Sequence, residues 1–545
     1  MLVFAVGVVL FAYANVGLGL TGHIPSGLVT YGIGFAVLVG AAHLAVRRLA
    51  PWADPLLLPL AALLNGLGLV MIYRLQESGR NGNPGTLIYG MTSSTATFQL
   101  LWTALGIASF VVVLALIREP RVLQRYTYTF GAVGLVLLAL PALLPSRISE
   151  VANTGAKIQI AMGGFSIQPA EFAKLALAVF FAGYLVAKRD VLSLAGRRVL
   201  GIAAFVAVLA LVSEPRVLQR YTYTLGAVGL GLLALPALLP ARFSEVPGTG
   251  AKIQVAVGGF SFQPEEFAKL ALAVFFAGYL VAKRDVLALA GRRVLGIDLP
   301  RARDLGPVLI AWAASLLVLV FESDVGTSAL FFGLFVVMLY IATQRTSWLL
   351  IGGLLFLAGA FLAARLFVHV GDRFTVWLHM FSGTNPYNVS YQPAQGMYGL
   401  GYGGVLGTGL GHGQPYWTPL VQSDFIVTAF GEELGMTGLM AILLIYGLIV
   451  ERGLRAAVAV RDPFSKLLAG GLSFTIALQV FVIVGGVTRL IPLTGITTPF
   501  LSQGGSSLVA SWMLIALLMR ISDTARRPAP QPIQEEGMTQ VVRGG

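Results

Sequence analysis

The sequence predicts an all-α, polytopic membrane protein, and three observations carry that reading. Hydrophobic residues make up 57% of the 545-residue chain and charged residues only 11%, against about 25% charged in a soluble domain. Apolar runs of roughly 17–25 residues, long enough to cross a hydrocarbon core as helix, recur along it. The basic residues fall in short loops at the ends of alternate runs, the pattern of the positive-inside rule. Mean hydropathy is +0.82, and the 65 glycines suit close helix packing in lipid. In a soluble chain a net charge of +13 would point to nucleic acid; confined to loops between apolar runs it points to a membrane, and no nucleic-acid partner is expected. The chain has no cysteine, which excludes disulfides and thiolate metal sites.

Taken in order, Leu2–Leu20 and Leu28–Val46 are the first two spans, joined by a short loop with His23 and Pro25. The first run has neither a basic leader nor a small-residue cleavage site, so it reads as a retained span. Arg47 and Arg48 put the following loop, and hence Met1, in the cytoplasm. Leu56–Ile72 crosses outward to a polar loop, Gln76–Thr97, and Leu101–Ile117 returns to Arg118, Arg121 and Arg125. Tyr126–Leu144 crosses outward again, and Phe172–Val186 returns to Lys188, Arg189, Arg197 and Arg198.

Here the chain repeats itself. Residues 106–200 and 201–295 align without a gap at an offset of 95, with about 15 differences. Similarity this high marks a recent tandem duplication or an error in assembling the gene sequence, not the degenerate symmetry of transporter repeats. Three extra spans would invert everything downstream, yet Arg216 and Arg220 match Arg121 and Arg125 and should also lie inside. The run Val199–Val212 is only about 14 residues long, a length that favours an interfacial or re-entrant segment. Two spans are then added, Tyr221–Leu239 and Phe267–Val281, and the orientation is kept.

Leu305–Phe321, Val325–Ala342 and Trp348–Val368 follow, then a long irregular outer loop over 369–423, whose length suggests function. A helix through Val450, the run Leu467–Val484 and the run Ser506–Met519 complete about 14 spans, with both termini inside. Residues 1–522 form the membrane domain and 523–545 a polar, proline-containing, disordered cytoplasmic tail.

The ionisable residues that interrupt this apolar pattern are the candidate site. Asp424 stands where the long loop meets an apolar helix. It is either a general base or, with Ser423, a helix N-cap. Glu432 is eight residues on, roughly 12 Å along a helix. That is too far to pair with Asp424; Glu432 lines the same cavity or makes a packing ion pair. Glu171 and Lys174 stand three apart after Pro169, as do Glu266 and Lys269 after Pro264; each pair is a structural ion pair or one wall of a polar cavity. Asp324 interrupts two apolar runs and either caps the next helix or faces the cavity. Gly399–Gly404 matches a dinucleotide-binding pattern, but no βαβ unit surrounds it, so its glycines serve close packing instead. The five histidines show no metal-ligand spacing.

Several motifs together resemble the FtsW/RodA (SEDS) family of cell-wall polymerases, most of all its actinobacterial RodA-type members. They are "QPxEFAK" at Gln168 and Gln263, "ESDVGT" at Glu322, "GTGLGHG" at Gly407, "SDFIVTAFGEELG" at Ser423 and "TRLIPLTGITTPFLSQGGSSL" at Thr488. The resemblance implies a peptidoglycan glycosyltransferase that polymerises lipid II, a disaccharide-pentapeptide on undecaprenyl pyrophosphate, at the outer face of the plasma membrane. It implies a class B penicillin-binding protein, the transpeptidase, as partner. It implies that Asp424 is the essential aspartate and that Asp324, with either Glu171 and Lys174 or Glu266 and Lys269, lines the pyrophosphate side of the substrate cavity; Glu432 and Ser506 are further candidates for the cavity wall. Basic side chains or a divalent cation would stabilise the leaving pyrophosphate, and no other cofactor or protein-bound metal is expected. The chain departs from the family pattern at Lys157 and Gln159 and their copies Lys252 and Gln254, at His379–Gly383, and at Gln503 where a tyrosine is usual. A lipid II flippase and a scaffold for the transpeptidase are the alternative readings.

Overall fold

The computed structural model describes residues 1–80, 91, 95–143, 160–162, 165–187, 255–257, 260–262, 293–294, 297–298, 325–343, 346–366, 368–382, 387–388 and 390–528. The predicted Val199–Val212, Tyr221–Leu239, Phe267–Val281 and Leu305–Phe321 lie outside them. The described helices longer than five residues are α1 (Leu2–Thr21), α2 (Leu28–Leu49), α3 (Leu57–Arg80), α4 (Thr95–Leu116), α5 (Thr127–Leu143), α6 (Pro169–Ala187), α7 (Val325–Thr343), α8 (Ser347–Leu366), α9 (Val368–His379), α10 (Tyr391–Gly403), α11 (Ile426–Ala459), α12 (Pro463–Val487) and α13 (Gly505–Arg526). Eight of them are long and apolar enough to cross a membrane. The helical, multi-pass class expected from composition is the class observed.

Local signals place the helix ends. Pro169 opens α6, where its missing N–H costs nothing. Asp462 caps α12 by accepting the Ser465 amide at 3.0 Å, with Pro463 in the first turn. Gly22 closes α1 at φ 73°. Two short hairpins precede the "QPxEF" segments: Ile160–Met162 with Phe165–Ile167, and Val255–Val257 with Phe260–Phe262. Their registers pair Ile160 with Ile167 and Val255 with Phe262, so the strands of both copies pair in the same register.

Helices α12 and α13 form the centre of the bundle, with α13 almost wholly buried. Around them α1, α2 and α8 turn Phe4, Phe11, Ile33, Val37, Leu354 and Phe361 outward, which suits contact with lipid. Several polar residues inside are paired. Trp512 Nε1 donates to Asn65 Oδ1 at 2.9 Å, and Asn65 donates to Thr103 at 3.2 Å. Arg520 donates to the carbonyls of Leu49, at 2.6 Å, and Leu114.

Three expectations are corrected. The third span does not stop at Ile72; α3 runs to Arg80 because Arg74 is buried against Glu433 (Nε to Oε1, 2.8 Å) instead of ending the membrane segment. The tail does not begin at residue 523. Helix α13 continues to Arg526, and Asp523 is fully buried, accepting the Trp52 amide at 2.9 Å. The long outer loop is not irregular. It contains α9, α10 and a 3₁₀ turn, Pro415–Trp417.

Helix α11 is broken at Gly435 (φ 69°), where a Cβ would meet the Gly407 nitrogen at 2.3 Å. The backbone groups around the break pair with the preceding loop: Thr408 N to Glu432 O at 3.0 Å, Gly409 N to Glu433 O at 2.9 Å, Met436 N to Gly404 O at 2.9 Å. Arg74 reinforces this join by donating to the Gly413 carbonyl at 2.8 Å. Arg74→Met leaves Glu433 buried without its counter-charge and is expected to cost about 3–5 kcal/mol, read as a lowered thermal midpoint in detergent. Arg74→Met combined with Glu433→Leu should recover part of that loss; equal or greater loss in the double variant would contradict the pairing.

Candidate functional site

Asp424 lies two residues ahead of α11, and the N-cap position is Phe425. The capping reading of Asp424 therefore fails. Phe425 is fully buried against α10, where a Cβ on Gly396 would meet its ring at 2.7 Å. Gly399 and Gly403 continue that contact face: a Cβ at Gly403 would meet the Gly431 carbonyl at 2.2 Å. Of the "GxGxxG" glycines only Gly399 meets α11, while a Cβ at Gly401 or Gly404 would have open space; the close packing of α10 on α11 is made by Gly396, Gly399 and Gly403.

The Asp424 side chain is buried and accepts the Ser423 hydroxyl at 2.8 Å. Burial pushes its carboxyl above the ordinary range, against the pull of the Ser423 hydroxyl, its own and Phe425's backbone amides, and the Arg373 charge. Arg373, on α9, donates to the carbonyls of Leu493 and Thr494 at 3.3 and 3.0 Å. Nothing in the residue pattern of α9 singled out Arg373 beforehand.

Glu432 does not share the Asp424 environment. Its carboxylate accepts the Gln414 amide at 2.5 Å. The ion pair expected at this position falls one residue later, on Glu433, which also accepts the Gly411 amide at 3.1 Å. Both glutamates hold the Gly409–Gln414 loop.

Glu171 and Lys174 pair at 2.7 Å, and the Lys174 ammonium also donates to Gln479 Oε1 at 3.0 Å. They line a narrow cleft with Thr475, Gln479, Phe500 and Ser511. Ser506 is not among the lining residues. It sits in the first turn of α13 and accepts the Gln168 amide at 2.8 Å, tying the start of α6 to the Thr488–Leu508 motif; Ser511 is the serine at the cleft. Glu266, Lys269 and Asp324 lie outside the described residues.

One segment joins the cleft to Asp424. Gln479 donates to the Thr497 carbonyl at 2.7 Å. The Thr498 amide donates to the Ser502 hydroxyl at 2.8 Å, and that hydroxyl donates to the Ser423 carbonyl. The Gln503 amide donates to the Gln422 carbonyl at 2.7 Å. Because residue 503 acts here through its backbone, this bond does not need the usual tyrosine. A hydrogen-bonded path thus runs from Lys174 to the residue beside Asp424.

The model of the "Cell cycle protein" family that groups FtsW, RodA and SpoVE matches residues 54–213 and 193–527, two stretches that overlap within the repeat. The chain is 42% identical to peptidoglycan glycosyltransferase RodA of Mycobacterium tuberculosis over 509 residues, 93% of this chain and 85% of that protein. It is 40% identical to the protein of that name from Mycobacterium leprae over 501 residues, 92% and 84% of the two chains. It is 33% identical to stage V sporulation protein E of Bacillus subtilis over 288 residues, 52% and 75% of the two. The crystal structure of the Thermus thermophilus rod shape determining protein RodA aligns at a TM-score of 0.38 and 19% identity, covering 92% of this chain and 97% of that one.

A carboxyl held above its ordinary range binds its proton more tightly in the folded state than in the unfolded one. Its contribution to stability is full below the unfolded value, about 3.9, and is lost as pH rises through the folded value. The thermal midpoint of the wild type should therefore fall relative to Asp424→Asn as pH is raised from about 4 to 8. A midpoint that rises over that interval relative to the variant would contradict the burial argument.

Proposed function

Because the chain belongs to the FtsW/RodA/SpoVE family, we propose that it is a peptidoglycan glycosyltransferase that polymerises lipid II, with Asp424 as general base. Two thirds and more of the mycobacterial glycosyltransferases align with it. The observation that carries the base assignment is the placement of Asp424: buried, held by Ser423, and joined through Ser502, Thr497 and Gln479 to Lys174.

In this reading the acceptor sugar hydroxyl approaches Asp424, which takes its proton as the oxygen attacks the anomeric carbon of the donor. The bond from that carbon to the pyrophosphate oxygen breaks, and undecaprenyl pyrophosphate leaves with the electron pair. A carboxyl raised toward neutrality is the better base at working pH. Lys174 and Arg373 supply positive charge against the negative charge that builds on the departing pyrophosphate. A divalent cation at the pyrophosphate would add to that positive charge.

The distribution of Arg and Lys supports a chain with both termini cytoplasmic and Asp424 at the outer face, where lipid II polymerisation takes place. The family resemblance supports a class B penicillin-binding protein as partner, and the role is in wall synthesis for cell shape or division.

Purified chain with its transpeptidase should make glycan polymer from lipid II, and Asp424→Asn should lower the rate by about 10²–10⁴-fold while still binding lipid II. Polymer from the variant at the wild-type rate would remove Asp424 as base. Transfer of lipid II between leaflets without polymer would favour the flippase.

A further inference from the structure

Among the described residues, three that are not glycine have a positive φ: Leu420 at 55°, Arg489 at 61° and Phe500 at 66°. All three lie in the two segments that surround Asp424. Such backbone is disfavoured for a side chain with a Cβ, and it persists where the surroundings hold it. At Arg489 the surroundings are explicit. Its Nε donates to the Trp377 carbonyl and its Nη2 to the Leu378 carbonyl, both at 2.8 Å. These are last-turn carbonyls of α9, which have no partner within the helix. The guanidinium also stands 5.7 Å from the Phe381 ring centre. The contact is returned: Trp377 Nε1 donates to the Arg489 carbonyl at 3.0 Å. One turn earlier on α9, Arg373 reaches the other way to the Leu493 and Thr494 carbonyls and lies over Gly495, whose φ is 78°. The two arginines thus clasp α9 to the 489–494 turn from both sides.

We propose that Arg489 is a positioning residue for glycosyl transfer: by locking α9 to the turn it fixes Arg373 and the 493–503 segment, whose Ser502 and Gln503 bond the backbone of Ser423 and Gln422 next to Asp424. This rests on reading Asp424 as the base. The other charged groups nearby are engaged elsewhere. Glu432 and Glu433 face Gln414, Gly411 and Arg74; Glu171 and Lys174 face each other; Asp372 is exposed on α9. Arg373 is the charged side chain that acts on Asp424 among the described residues. Helix α9 is 12 residues long and exposes Leu378 beside its C-terminus. Its other attachments are the Arg373 and Trp377 bonds to the turn and a small apolar contact of Val370 and Phe374 with Ala363, so loss of the Arg489 guanidinium loosens the C-terminal half of α9, on which Arg373 and Trp377 stand.

The test uses the full chain and lipid II. Arg489→Gly removes the guanidinium and relieves the backbone; Arg373→Gln removes the charge at the base; Trp377→Phe breaks the returned bond alone. The readouts are the pH dependence of kcat/KM for polymerisation and the thermal midpoint. Arg489→Gly should lower kcat/KM roughly tenfold at neutral pH, with the acid limb moved to higher pH and activity regained at alkaline pH. Arg373→Gln should move the limb the same way, and the double variant no further than Arg373→Gln alone. Trp377→Phe should give a smaller shift of the same sign, which keeps the test available if Arg489→Gly does not fold. A pH-independent loss, an additive shift in the double variant, or a wild-type profile in Arg489→Gly would overturn the proposal. Polymerisation by Asp424→Asn at the wild-type rate would instead overturn the base reading beneath it.

Discussion

Hydrocarbon offers no hydrogen-bond partner, so every polar group the bundle buries has to be met by another part of the chain. The join between the Gly404–Gln414 loop and the broken part of α11 shows how far this constraint reaches. Gly435 breaks the helix, and backbone amides and carbonyls of residues 404–409 and 432–437 pair across the break. The two buried glutamates there close onto loop amides and Arg74. With that region fixed, the start of α11 and the residue two before it have a defined position against α10 and the Thr494–Ser507 segment.

Asp424 is where the rule is only partly kept. Glu433 has a guanidinium and a backbone amide on its carboxylate, whereas Asp424 has a hydroxyl, nearby amides and an arginine whose own hydrogen bonds go to carbonyls. Burial outweighs these, and the carboxyl is held protonated to higher pH than usual. A buried acid left in that condition is poorly explained by stability alone and well explained by proton transfer. The strained backbone at Leu420, Arg489 and Phe500 falls in the same two segments, the pattern expected where structure is held for chemistry and not for lowest energy.

Much of the fold was legible because a membrane span announces itself by length and hydropathy. The helix ends were less so, because hydropathy falls at a basic residue whether or not that residue leaves the bundle. Arg74 shows the failure: it lies inside the bundle, and the signal available was a lone basic residue followed by Gln76 and Ser78, all buried. The outer loop read as irregular because it is rich in glycine. Yet Gly396, Gly399 and Gly403 recur at helical spacing, and they are the residues that let α10 approach α11. Asp424 was visible as an ionisable residue at a polar–apolar junction. Its link to Lys174 was not, because the bonds through Thr497, Thr498, Ser502 and Ser423 use backbone groups that carry no residue signature. The repeat was plain in the sequence, and the matching hairpins at residues 160–167 and 255–262 carry it into local structure.

The central claim is that a buried, hard-to-ionise Asp424 removes the proton in glycosyl transfer. The pH dependence of kcat/KM for lipid II polymerisation by the wild-type chain tests it most directly. The account predicts a rate that rises with pH through a single ionisation lying above the ordinary carboxylate range. A rate that is flat across the acid side down to about pH 4, where an unperturbed aspartate begins to protonate, would contradict it.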